Sequence, residues 1–119
     1  MDSTESSKSA VSLLVNAATK GDTYQIAKIL EENKGSGLTI NSPDNMARTI
    51  LHAASCAGVL DCIRFLIKEG ANVNARDAWD STPLDDALKF NQIEVAKLLM
   101  RSGGQVLHAC IPYMYGPSV

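Results

Sequence analysis

The chain is short of several things, and each shortage removes a class of function. Only 5% of its 119 residues are aromatic, with a single tryptophan. So few rings do not fill a thick sandwich core, whereas the abundant and often paired alanines suit thin helices packed side by side. A basic excess is missing as well: 11 Lys and Arg stand against 13 Asp and Glu, a formal charge of −2. The electrostatic footprint of a nucleic-acid binder is therefore absent. No run approaches the roughly 18 to 20 consecutive apolar residues that cross a bilayer, and the first ten residues lack the charged-then-apolar order of a secretory signal. Neither nucleic acid nor membrane is expected as a partner. Cysteine is sparse: Cys56, Cys62 and Cys110 cannot all pair, and their spacings match no paired-thiol zinc pattern. That usage fits a reduced compartment, cytoplasmic or else nuclear. What remains, at 45% apolar and 20% charged, is the profile of one soluble globular domain.

What the chain does have is a repeat. Shifting it by 33 places lays Asn41 on Asn74, Asp44 on Asp77, Thr49 on Thr82, Leu51 on Leu84, Ala54 on Ala87, Leu66 on Leu99 and Gly70 on Gly103. A further copy lies upstream at a shift of 37, where Gly21 meets Gly58, Ile26 meets Ile63 and Ile29 meets Leu66. Its four extra residues fall in Lys34-Gly35-Ser36-Gly37, an insertion in a loop. A fixed period of this length marks a stacked architecture in which each copy buries its apolar face on its neighbours.

Within each copy the pattern is two short helices followed by an extended excursion. In the last copy Thr82 is a helix N-cap, Pro83 takes the first helical position, and Asp85 stands three residues after the cap as in a capping box. Leu84, Ala87 and Leu88 give that helix an apolar stripe. Ile93, Ala96, Leu99 and Met100 do the same for the next one, before Gly103 ends it. The middle copy follows with Leu51, Ala54 and Ser55, then Leu60, Ile63, Leu66 and Ile67.

Thr49-Ile50-Leu51-His52-Ala53-Ala54 and Thr82-Pro83-Leu84-Asp85-Asp86-Ala87 resemble the Thr-Pro-Leu-His-x-Ala signature of the ankyrin repeat, and residues 70–77 resemble that family's inter-repeat segment. The resemblance implies an all-α solenoid of stacked helix-turn-helix pairs with projecting β-hairpin or loop fingers and a concave face that binds proteins. The expected organisation is a flexible polar leader over 1–10, a repeat domain over 11–106 with copies at about 12–44, 45–77 and 78–106, and a C-terminal tail over 107–119. The apolar tail either covers the exposed face of the last helix pair or frays. Two departures stand out. Asp85 replaces the signature histidine, weakening whatever bond that ring makes to the next copy. Ala47 and Asp80 stand where the family usually has glycine near the finger tip; a left-handed conformation there costs Ala47 on the order of 1 to 2 kcal/mol, which predicts a distorted first finger.

Catalytic readings all have stronger structural ones. Asp85 and Asp86 are consecutive helix positions about 100° apart, so they do not converge on a substrate; Asp85 is read as capping and Asp86 as facing outward. His52 and Cys56 share a helix face at i and i+4, but no further ligand pair is in reach by sequence, and a Cys/His nucleophile fails for the same reason. Gly35-Ser36-Gly37 and Gly103-Gly104 do not follow a strand with phosphate-loop spacing. The expectation is no catalytic residue, no cofactor, no metal, no small-molecule substrate and a monomeric chain.

Surface recognition is left. Trp79 sits in the excursion between copies two and three, beside Asp80; Asn45, Met46 and Arg48 occupy the equivalent excursion one copy earlier. By the resemblance, Ala53 and Cys56 on one inner helix and Asp86, Lys89 and Phe90 on the next face the concave groove. Rigid aromatic residues are over-represented among binding hot spots. The competing reading has Trp79 packing back on its own hairpin and Phe90 packing laterally between helices. The function implied is a protein-protein interaction module, an adaptor or scaffold that binds its partner through finger tips and groove. The alternative is a regulatory or assembly segment of a larger enzyme or ion channel, since residues 75–87 resemble repeats appended to glutaminases, plant kinases and potassium channels.

Overall fold

The computed structural model describes the backbone of residues 3–106 and the side chains of residues 10–106. Three antiparallel helix pairs stack in chain order: α1 (Ser3–Lys20) with α2 (Thr23–Glu32), α3 (Ile50–Ala57) with α4 (Leu60–Lys68), and α5 (Pro83–Lys89) with α6 (Ile93–Arg101). The first helix starts inside the stretch 1–10 read above as a polar leader, and by Ala10 and Val11 its side chains are already buried. The tail over 107–119 lies outside the described residues. Among the described residues no helix is long and apolar enough to cross a membrane.

Helix starts follow the local chemistry. Thr82 Oγ1 accepts from the Asp85 amide while Asp85 Oδ2 accepts from the Thr82 amide, at 3.2 and 3.0 Å, closing a capping box ahead of Pro83. Thr49 and His52 form the same box one copy earlier, with the imidazole in place of the carboxylate. Between the helices of each pair the chain reverses through a left-handed residue: Gly21, Gly58 and, in the last pair, Asn91. The first two also sit close under the following copy. A methyl group at Gly21 would meet Val59, and one at Gly58 would meet Gln92.

The interior is a continuous row of interfaces. Helices α1, α3 and α5 pack one on the next through small and branched side chains: Leu14, Ala17 and Ala18, then Ile50, Leu51 and Ala54, then Leu84, Ala87 and Leu88, all buried. The second helices contribute Ile26 and Ile29, then Cys62, Ile63 and Leu66, then Val95, Ala96 and Leu99. With alanines at the crossings, the stack needs few rings inside.

The expected β-hairpin or loop fingers are absent. The described residues hold six helices and no strand, and no hairpin or loop projects from the stack. The excursions fold into tight turns instead. Each makes two backbone bonds, Asp44 N–H to Arg48 O at 2.9 Å and Ala47 N–H to Asp44 O at 3.0 Å in the first, Asp77 N–H to Ser81 O at 3.1 Å and Asp80 N–H to Asp77 O at 2.9 Å in the second. Two further amides of each turn are taken by its carboxylate: Asp44 Oδ1 accepts from Met46 and Arg48, and Asp77 Oδ1 from Trp79 and Ser81. Carboxylates that satisfy these amides locally leave no ladder for a hairpin to extend. Ala47 and Asp80 both take the left-handed conformation, at φ 61° and 63°. The distortion expected of the first excursion does not appear, because its turn carries the same hydrogen bonds as the second.

Candidate functional site

The polar residues converge where the second copy meets the third. Arg48 leaves the turn before α3 and crosses the junction. Its Nη1 donates to Asp77 Oδ2 at 2.7 Å, and its Nη2 donates to Asp86 Oδ2 at 2.8 Å and to Cys56 Sγ at 3.3 Å. The two carboxylates are buried, with side chains 1% and 6% exposed against 26% for Arg48. Two acids removed from water need a counter-charge, and the guanidinium fork reaches both at once.

Charge and burial set the titration of this group. Burial alone would lift the Asp77 carboxyl, but amide donation from Ser81 and Trp79 and the Arg48 guanidinium more than offset it and hold the group below its ordinary value. Burial opposes the charge on Arg48, but Asp86, Cys56 and Asp77 together outweigh it, so the guanidinium is held still more firmly protonated. The Cys56 thiol is pushed up to about 11 by burial and by Asp86, against the opposing pull of Arg48; Cys62 reaches about 11 by burial alone. Neither thiol is an activated nucleophile.

His52 is the second polar link. Its Nδ1 accepts from the Thr49 amide at 3.0 Å, which assigns the proton to Nε2, and Nε2 donates across the junction to Ser81 O at 2.9 Å. In the last copy Asp85 closes the box but has no imidazole to reach onward. There Thr82 Oγ1 donates to Gln105 O at 2.6 Å instead. The nearest ligand atoms of His52, Asp77 and Asp86 lie within 4.8 Å of one another. Both imidazole nitrogens are nonetheless engaged by backbone, and the guanidinium stands in the place a cation would take. The cluster is an ion-paired clamp between repeats.

The expected recognition residues fall into three groups. Arg48, Cys56 and Asp86 meet in the clamp, which corrects the reading of Asp86 as outward-facing: it is buried and ion-paired. Lys89 and Phe90 continue the same face of α5 one turn later, the ammonium 6.0 Å from the ring centroid, and half-buried Ala53 lies on the facing helix α3 one turn before Cys56. Met46 is joined to the Trp79 turn, since its carbonyl accepts from Ala78 N–H at 2.9 Å. Trp79, Phe90 and Met46 are 60%, 53% and 45% exposed, so neither ring is buried against its own turn or between helices. Asp80 pairs with Arg76 on the surface at 2.8 Å. Asn45 is exposed beside Met46.

Sequence reasoning missed Asp77 and Gln92 as parts of this junction. Gln92 Nε2 donates to Cys56 O at 2.8 Å, closing the polar seam at its far end. The signal for Asp77 lay in its match to Asp44 at the 33-residue shift, which marks a turn-capping carboxylate; its second oxygen, free for Arg48, is visible only once α5 packs on α3.

Residues 9–109 match the family described as ankyrin repeats, in three copies. Among curated proteins the chain is 35% identical over 92 residues to serine/threonine-protein kinase 12 of Arabidopsis thaliana, covering 77% of this chain and 19% of the kinase. It is 39% identical over 86 residues to the potassium channel GORK of the same plant, covering 72% of this chain and 10% of the channel. To human protein phosphatase 1 regulatory subunit 27 it is 32% identical over 91 residues, covering 76% of this chain and 57% of that subunit. The chain therefore spans about a fifth of the kinase, a tenth of the channel and little more than half of the regulatory subunit.

Proposed function

Because the chain belongs to the ankyrin-repeat family, a family of non-catalytic repeat modules, we propose that it recognises another protein as the regulatory or assembly segment of a larger enzyme or channel. One observation carries this reading: stretches similar to most of this chain make up a minor part of a kinase and of an ion channel. The stand-alone adaptor is the second reading, favoured by the likeness to a phosphatase regulatory subunit of which the stretch makes up 57%. An antibody raised against this chain separates the two on a blot of the source cells. The segment reading expects a band far above the chain's own 12.7 kDa, and a band at that mass overturns it.

The recognition surface we propose runs from the Trp79 turn, past Met46 and Arg48, along α5 to Lys89 and Phe90, with Ala53 and Cys56 forming its floor. Its support is the coincidence of exposed Trp79, Met46 and Phe90 with a rigid ion-paired base. Aromatic residues are over-represented among binding hot spots, where truncation costs about 2 kcal/mol or more of binding. Trp79→Ala combined with Phe90→Ala is expected to abolish capture of a partner that the wild-type chain retains, with unchanged circular dichroism. Equal capture by the variant would overturn the surface.

A further inference from the structure

The proposed recognition surface carries one charge that the described residues do not answer. Its acidic groups are engaged from within: Asp77 and Asp86 by the Arg48 guanidinium at 2.7 and 2.8 Å, Asp80 by Arg76 at 2.8 Å, and Asp44 by the amides of Met46 and Arg48. The same bonds occupy both arginines. Lys89 is left. It is exposed, its ammonium stands 6.0 Å from the Phe90 ring centroid, and among the described residues it forms no ion pair. The clamp holds one more carboxylate than guanidinium, but Asp77 and Asp86 are 1% and 6% exposed and Asp77 is answered further by two amides. The charge presented to a partner is that of Lys89.

The repeat register shows this charge to be particular to the third copy. Lys89 stands where the second copy has Cys56 and the first has Thr19, and Phe90 stands where they have Ala57 and Lys20. Positions that accept such different side chains are not set by the packing of the stack. Trp79 precedes α5 and Phe90 follows it. The seven residues of that helix rise about 10 Å, which an extended segment of about four residues covers. A segment laid from one ring to the other passes Lys89 and takes water from its ammonium. An uncharged segment would leave that ammonium without a counter-charge. A basic one would repel it and meet no unpaired carboxylate on this face, whereas an acid answers it directly.

On the premise that Trp79 and Phe90 form the recognition surface, we propose that its occupant is a short extended protein segment with an Asp or Glu between apolar residues, whose apolar side chains seat on the two rings while the carboxylate pairs with Lys89. A displayed library of random peptides, selected on the immobilised full chain, tests it. Selected sequences are expected to place one acid within about four positions of apolar residues, and to be lost when the chain carries Trp79→Ala with Phe90→Ala. Binding of the tightest peptide is read by the fluorescence of Trp79, the one tryptophan of the chain. Replacing its acid by the amide should weaken binding about fivefold. Lys89→Gln should weaken it as much and remove most of its dependence on salt, and Lys89→Glu should prefer the same peptide with Lys in place of the acid. Peptides that need both rings yet show no acidic preference, or that bind Lys89→Glu unchanged, overturn the acidic partner and leave the surface standing. Peptides that bind the double variant equally well, or a selection that yields none, overturn the surface and the partner with it. Dimerisation in sedimentation that the double variant abolishes also overturns the acidic segment, because a second copy would then be the occupant.

Discussion

The two junctions of the stack are built from different materials. Between the first and second copies, α1 meets α3 through Leu14, Ala17, Ala18, Ile50, Leu51 and Ala54, and no ion pair crosses among the described residues. Between the second and third, the same kind of apolar seam is overlaid by the Arg48 clamp, the His52 to Ser81 bond and the Gln92 to Cys56 bond. The substitutions follow the register. Val11 and Val15 hold the places in the first copy that Arg48 and His52 hold in the second, and Val59 holds the place of Gln92. An apolar seam is tolerant of small shifts because burial has no direction; hydrogen-bonded charges fix one geometry. The proposed recognition surface lies on the junction that is fixed.

Removing the clamp should make the second junction behave like the first. Arg48→Met keeps much of the side-chain volume and leaves two buried carboxylates without a counter-charge, an expected loss of about 3 kcal/mol. Denaturant melts measure it, and a loss under about 0.5 kcal/mol would dissolve the contrast. His52→Leu preserves bulk but strands the Thr49 amide and the Ser81 carbonyl, costing about 2 kcal/mol. Val15→Thr, at the matching half-buried position, should cost only about 1 kcal/mol.

Acid sharpens the comparison without mutation. Because the Asp77 carboxyl is held below its ordinary value in the fold, its contribution is complete above the unfolded value of about 3.9 and is lost as pH falls through the folded one. On acidification below about pH 4, amide exchange, corrected for its intrinsic rate, should accelerate in α5 and α6 before α1 and α2, and Asp77→Asn should remove the difference. The smallest effect is expected of the thiols. Raised to about 11, they stabilise the fold fully below their unfolded value of about 8.5 and lose that contribution as pH rises towards the folded one. In a Cys110→Ser chain at pH 7.5, Cys56 and Cys62 should therefore react with a disulfide reagent more than about a hundredfold slower than free cysteine.

The parts of the fold written in local chemistry are legible in the amino-acid order itself. Thr82-Pro83-Leu84-Asp85 specifies a helix start by caps and dihedrals within four residues, and the 33-residue shift specifies which helices share a role. Membership in the ankyrin-repeat family is legible for the same reason. Asp86 shows where that legibility stops. Helical geometry separates it from Asp85 and leaves its direction open, and its partner lies 38 residues upstream, across a junction whose spacing depends on how closely Ala54 and Ala87 let two helices approach. The fingers fail for a different reason: the family pattern locates the excursion correctly, but Asp44 and Asp77 occupy the amides that a ladder would need.

The inserted turn at 34–37 offers a practical handle. Gly35 and Gly37 adopt left-handed conformations with nothing within 4 Å of where a side chain would begin, in the loop that follows α2. Lengthening an exposed loop is cheap, about 0.6 kcal/mol for each doubling. A fluorophore, an affinity peptide or a whole reporter domain threaded between these glycines should leave α5 and the Trp79 turn undisturbed, which makes this the place from which to watch the molecule while it is bound.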